Sequence, residues 1–122
     1  MCKILLSINP EHVENIFNGS KEYEFRKIKC KKDVDKIIIY STAPVMKVVG
    51  EAKVERIIEG NPSEVWEQTK KKSGIDESFY FDYYKDKAKA VAYKLFEVVK
   101  YTVPKELSSF GLSNAPQSFV YL

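Results

Sequence analysis

The sequence predicts an α+β domain built on a mostly antiparallel, strongly bent sheet with helices at its periphery. Three observations carry this. Segments of period-two or continuous apolar character alternate with segments of helical period, in the order strand, helix, three strands, two helices, long strand, tail. The connections are too short for repeated right-handed βαβ crossovers, which need about a dozen residues each. Finally, 122 residues with 44% hydrophobic and 30% charged side chains make one ordinary globular domain over residues 1–122, with no linker or internal repeat.

The elements follow in order. Residues 3–8 are a short apolar strand that runs into Asn9-Pro10, a cap followed by a first helical residue with preset φ. Val13, Ile16 and Phe17 share one helix face, and Asn18-Gly19 supplies the stop. From Lys21 the period becomes two, with Tyr23 and Phe25 on one side and Glu22, Glu24 and Arg26 on the other. A lysine-rich turn, with Lys27, Lys29, Lys31 and Lys32, precedes Lys36-Ile37-Ile38-Ile39-Tyr40, a buried strand. After Ser41-Thr42-Ala43-Pro44 a long strand spans residues 45–58, with Gly50 marking a bulge or a close backbone approach.

Asn61-Pro62 opens a second helix bearing Val65, Trp66 and Thr69, closed by Lys70-Lys71-Lys72 and Gly74. Residues 76–85 form an aromatic helix, with Phe79, Tyr80, Tyr83 and Tyr84 at spacings of three and four. Residues 89–101 are a last long strand. The tail after Pro104 carries Leu107, Phe110, Leu112 and Phe119-Val120-Tyr121-Leu122, too apolar to stay in water, so it docks on the body or adds a strand.

Composition bounds the function. Twenty basic against 17 acidic side chains leave a net charge of +3, compatible with one basic face but short of a coat for nucleic acid. Cys2, Cys30 and His12 are too few for a structural zinc site within one chain, and the cysteines read as reduced thiols. The glycines are isolated, so no phosphate-cradling loop exists, and one histidine makes a Ser or Cys triad a poor fit. No cofactor or metal is expected. No apolar run approaches the roughly 20 residues of a membrane span, and the start is too short for a secretory h-region, so a cytoplasmic location is expected.

The densest chemistry lies in Gly19-Ser20-Lys21-Glu22-Tyr23-Glu24-Phe25-Arg26. The pleat places Glu24 and Arg26 on one face about 7 Å apart, where they can grip one ligand, and Lys21 can reach over the strand edge. Lys21 and Arg26 suit a phosphate or base edge, Arg26 bidentately, while Glu24 can accept from a base amino group. Glu24 beside Lys21 is expected to raise the lysine pKa, favouring binding over catalysis. Ser41 and Thr42, at a loop end, are further ligand contacts, and Glu51, after Gly50, is a candidate second carboxylate. The bland alternative for this set is a solvated face with surface ion pairs. Lys70–Lys72, Lys85, Lys87 and Lys89 could track a phosphate backbone or simply solubilise. The aromatics of residues 79–84, like Trp66, are core or stacking platforms.

The pattern Gly-x-Lys-x-x-Glu-x-Arg, following Leu-Leu-Ser-Ile-Asn-Pro and a short helix, resembles the signature of the ASCH domain family of the PUA-like superfamily. The resemblance extends through residues 34–51 and to Ala115-Pro116-Gln117-Ser118-Phe119. It implies a PUA-like, partly open β-barrel with peripheral helices and a cleft lined by the motif. It further implies an RNA or nucleotide-like partner, with Lys21, Glu24, Arg26, Ser41, Thr42 and Glu51 as ligand-binding residues. The alternative is a small hydrolase acting on RNA or on a modified nucleoside, of ribonuclease or N4-acetylcytidine amidohydrolase type, with Lys21 and Glu24 catalytic. The deacetylase members use a lysine and a threonine three residues later; Lys21 matches the first, and Glu24 stands in place of the second.

Overall fold

The computed structural model describes residues 2–122. Its strands are β1 (Lys3–Ile8), β2 (Tyr23–Arg26), β3 (Lys36–Ser41), β4 (Lys47–Gly60), β5 (Ala90–Lys105) and β6 (Phe119–Tyr121). Its α-helices are α1 (Pro10–Phe17), α2 (Pro62–Thr69) and α3 (Glu77–Tyr83), and Lys70–Lys72 and Leu107–Phe110 are single 3-10 turns. The six strands of the described residues form one mixed sheet in the order β2-β5-β4-β3-β1-β6, curled into a half-barrel.

Two asparagines start helices as their sequence context dictates. Asn9 Oδ1 accepts from Glu11 N at 3.0 Å with Pro10 next in line, and Asn61 Oδ1 accepts from Glu64 N at 2.9 Å ahead of Pro62. α1 ends where Gly19 adopts φ +88°, and this turn delivers the chain to β2.

One pairing departs from the antiparallel pattern: β1 lies parallel to β3, with Ile4 opposite Ile37 and Leu6 opposite Ile39. The segment holding α1 and β2 is long enough to serve as the single crossover. Both strands are buried on both faces, which their unbroken apolar runs reflect. Ile4, Leu6, Ile37 and Ile39 pack with Val13 and Ile16 of α1, while Leu5 and Ile38 face away and are covered by Tyr101, Leu107, Phe110 and Val120. The apolar tail thus docks as expected and adds β6 against β1.

A third cluster holds Tyr23 and Phe25 of β2 against Val65, Trp66, Tyr80 and Tyr84. Gly50 sits at a register shift, where an added Cβ would run into the Val99 carbonyl and come within 2.7 Å of Phe17 Cζ. β5 runs on to Lys105 through Pro104. β2 covers only Val91 to Lys94 of it, so the rest is a sheet edge, where a missing N–H is tolerated.

Curling brings the two ends of the sheet together. Arg26 at the end of β2 donates from Nη2 to the Ser7 carbonyl of β1 at 3.0 Å and from Nη1 to Ser118 Oγ, just before β6, at 3.3 Å. This guanidinium bridges the half-barrel's open seam.

Candidate functional site

The motif residues converge at that seam. Lys21 and Glu24 are only 3% and 5% exposed, unusual for charged side chains and tolerable only because each has partners. Glu24 stands between the two cations, with Oε2 accepting from Arg26 Nη2 at 2.9 Å and Oε1 lying 3.9 Å from Lys21 Nζ. Lys21 Nζ donates to the Ser73 carbonyl at 3.2 Å and lies 4.8 Å from the centre of the Phe25 ring.

The segment after α2 fixes this lysine. Lys21 N donates to Asn15 O, Glu22 N donates to Lys72 O, and Asn15 Nδ2 donates to Gly74 O. Gly74, at φ +69°, packs directly on the Lys21 stem: an added Cβ would meet Lys21 Cβ and come within 2.8 Å of Lys21 Cα. No side chain fits there, so glycine is required by both conformation and contact.

Burial pushes the Lys21 ammonium below its ordinary pKa of 10.5, outweighing the opposing pull of Glu24, and Arg26 adds to the lowering. This reverses the direction expected from spacing alone. Desolvation dominates because Glu24, at 3.9 Å, is shared with Arg26.

These residues border a cavity of about 160 Å³, the space of about five waters. Its polar wall is Ser7, His12, Lys21, Glu24 and Arg26, and its apolar wall is Phe25, Ile75, Phe79 and Tyr83. Two buried polar atoms on this wall, His12 Nδ1 and Arg26 Nε, have no hydrogen-bond partner among the described residues. Leaving such an atom unpaired costs about 1–3 kcal/mol, which a ligand can recover. Burial and the Lys21 charge hold His12 below its ordinary 6.5, so its imidazole is neutral at pH 7. Its ring packs edge-on to Phe79 at 5.4 Å.

The structure therefore brings Lys21, Glu24 and Arg26 together and leaves three other candidates apart. Ser41 is buried at the end of β3 opposite Ile8 and Lys47, and neither it nor Thr42 lines the cavity. Glu51 accepts from Tyr101 Oη at 2.8 Å and pairs with Lys36 Nζ at 2.8 Å, and the Lys36 bond holds its carboxyl below the usual range. It does not line the cavity either. Among the aromatics, Tyr80 and Tyr84 are core, whereas Phe79, 49% exposed, and Tyr83 face the cavity. Three of the clustered lysines are held by carboxylates, Lys70 by Glu67, Lys72 by Glu22 and Lys89 by Glu59. The sequence reading did not place His12, Ser73 or Gly74 at the site; Gly74, read there only as a helix stop behind a lysine run, was the one available signal.

A curled α+β half-barrel of PUA-like type, with a buried Lys-Glu-Arg cluster at its seam, is the class this architecture defines. The ASCH domain model matches residues 6–105, and the chain belongs to the ASCH domain family. The crystal structure of ASCH from Zymomonas mobilis superposes with a TM-score of 0.88 at 29% identity, covering 98% of this chain and 87% of that one. A tyrosine-to-phenylalanine mutant of it gives 0.88 at 28% identity, covering 98% and 89%. An ASCH domain-containing ribonuclease from the same species is 34% identical over 92 residues, 75% of this chain and 62% of that protein. Over 120 residues, 98% of this chain, it is 33% identical to an ATP synthase subunit alpha and to a large ribosomal subunit protein uL22, both from Ureaplasma parvum. The chain spans 15% and 39% of the length of those two proteins. No helix of the described residues is long and apolar enough to cross a membrane.

Proposed function

We propose that this chain binds single-stranded RNA by taking one unpaired nucleotide into the seam cavity. The observation that carries this is the pair of buried orphan atoms, Arg26 Nε and His12 Nδ1, on a wall that faces Phe79 and Tyr83. Such a site offers hydrogen bonds to a base or phosphate edge and aromatic surface to its plane, the usual way unpaired bases are held. In this reading Glu24 accepts from an amino group and Lys21 counters a phosphate. The relative named a ribonuclease supports RNA as the ligand class.

Fluorescence anisotropy with a short single-stranded RNA tests it. Affinity falls as salt rises, and Arg26→Ala weakens it about 10- to 100-fold, the worth of a lost charge-assisted bond of about 1.5–3 kcal/mol. Binding that ignores salt and tolerates Arg26→Ala refutes the proposal.

A second reading, RNA cleavage, is favoured by the burial-lowered Lys21 ammonium. In that reading Lys21, once it has given up its own proton, takes the proton of a ribose 2′-hydroxyl as that oxygen attacks the adjacent phosphorus. The P–O5′ bond then breaks, and the leaving oxygen is protonated by water. Incubation with RNA followed by gel analysis yields fragments that Lys21→Ala abolishes; intact RNA with the unaltered chain removes this reading and leaves the binding one.

A further inference from the structure

The cavity opens onto surfaces of opposite charge. On one side Arg26 leads into residues 27–32, where Lys27 Nζ lies 4.6 Å over the ring of Tyr83, a cavity wall. The same segment is pinned along β6: Tyr121 Oη accepts from Lys31 N at 2.9 Å and Lys32 N at 3.3 Å, and Lys32 Nζ lies 4.9 Å over the Tyr121 ring. Ser118, at the head of β6, accepts from Arg26 itself. Lys27, Lys31 and Lys32 are exposed and, among the described residues, in no ion pair, whereas Glu59 holds Lys29. Two acids in this turn face solvent, Asp33 beside the lysines and Asp35, whose Oδ2 accepts from Cys2 N at 3.0 Å.

On the other side the cavity shares His12, Ile75 and Phe79 with a second hollow of about 280 Å³. Glu11 and Asp76 border that hollow, no lysine or arginine does, and neither acid is in an ion pair among the described residues. A phosphate placed there meets both carboxylates well inside the ~10 Å screening length at 0.1 M salt.

We infer that the site takes the end of an RNA strand: the terminal nucleotide enters the cavity, and the phosphodiester chain leaves over Lys27, Lys31 and Lys32. The acidic hollow excludes a strand that continues past the cavity. The inference rests on the RNA reading of the cavity.

Anisotropy at 0.1 M salt with three probes tests it: an internally labelled linear ten-nucleotide RNA, the same RNA circularised, and a ribonucleoside monophosphate. The linear strand binds at least about tenfold tighter than the circle, which has no end to offer. Replacing Lys27, Lys31 and Lys32 together by Ser weakens the linear strand roughly 100-fold, since each single-strand phosphate contact is worth about fivefold at this salt, and leaves the monophosphate unchanged. The double variant Glu11→Gln with Asp76→Asn raises the circle's affinity toward that of the linear strand. A circle that binds as tightly as the linear strand, or a lysine triple variant without effect on it, overturns the end-binding inference alone. Failure of all three probes to bind overturns the RNA reading and this inference with it.

Discussion

Gly74→Ala probes how the lysine is held. The residue sits at φ +69°, a conformation that costs an L side chain about 1.5 kcal/mol. The new methyl would also press on the Lys21 stem, 2.8 Å from its Cα, and backbone cannot swing away as a flexible side-chain tip can. Overpacking of this kind adds about 2 kcal/mol, for a total near 3.5 kcal/mol. The unfolding entropy of a 122-residue chain is about 0.26 kcal/mol/K, so the melting midpoint drops by about 13 °C. Gly19→Ala is the control. At φ +88° with nothing within 4 Å of its added Cβ, it bears the conformational cost alone and drops the midpoint by about 6 °C. Thermal melts followed by circular dichroism compare the two, and anisotropy reads the consequence for RNA, which is greater for Gly74→Ala because Lys21 must shift away from the Ser73 carbonyl. Equal drops for the two variants would refute the packing argument.

Other consequences are smaller but separable. His12 is held below 6.5 when folded, so the unfolded chain binds the extra proton first; stability is fully present above pH 6.5 and declines as pH falls from there through the folded value. Urea titrations at pH 7.5 and 5.0 should show a smaller acid loss for His12→Gln, and an identical loss would remove His12 as its source. Tyr84→Phe deletes the hydroxyl that donates to the Arg26 carbonyl at 2.8 Å, with the Val91 carbonyl at 3.2 Å sharing the same proton, lowering stability by about 1–2 kcal/mol; an unchanged urea midpoint would show that this tie between the end of α3 and β2 carries no weight. Gly50→Ala forces a methyl against the Val99 carbonyl and the Phe17 ring, costing about 2–3 kcal/mol, and Phe17→Leu in the same chain should recover part of it. No recovery would place the whole clash on the Val99 backbone.

Much of the local structure is legible in the residues themselves. Asn9-Pro10 and Asn61-Pro62 cap helices through bonds within two or three residues, and such short-range chemistry needs no tertiary context. The alternation through Tyr23, Glu24, Phe25 and Arg26 places Glu24 and Arg26 side by side for the same reason, and they meet at 2.9 Å. The parallel partnership of β1 and β3 is different. A continuous apolar run says that a strand is buried but not beside which other strand it lies. Glu51 shows the same limit: its place after Gly50 is plain, yet its charge is spent on Lys36 and Tyr101, which only sheet register and packing bring to it.

The sequence by itself thus determined the α+β class, the helix starts, the docking of the apolar tail and the grouping of Lys21, Glu24 and Arg26, because each follows from short-range periodicity, capping or burial. Only the tertiary structure decided what that group can do. Curling carries Arg26 across the seam to Ser7 and Ser118, and the turn 52 residues beyond Lys21 sets Ser73 and Gly74 against it. The direction of the Lys21 pKa turned on that enclosure. A neighbouring carboxylate can be read from spacing, whereas the water removed around an ammonium depends on segments distant in the chain.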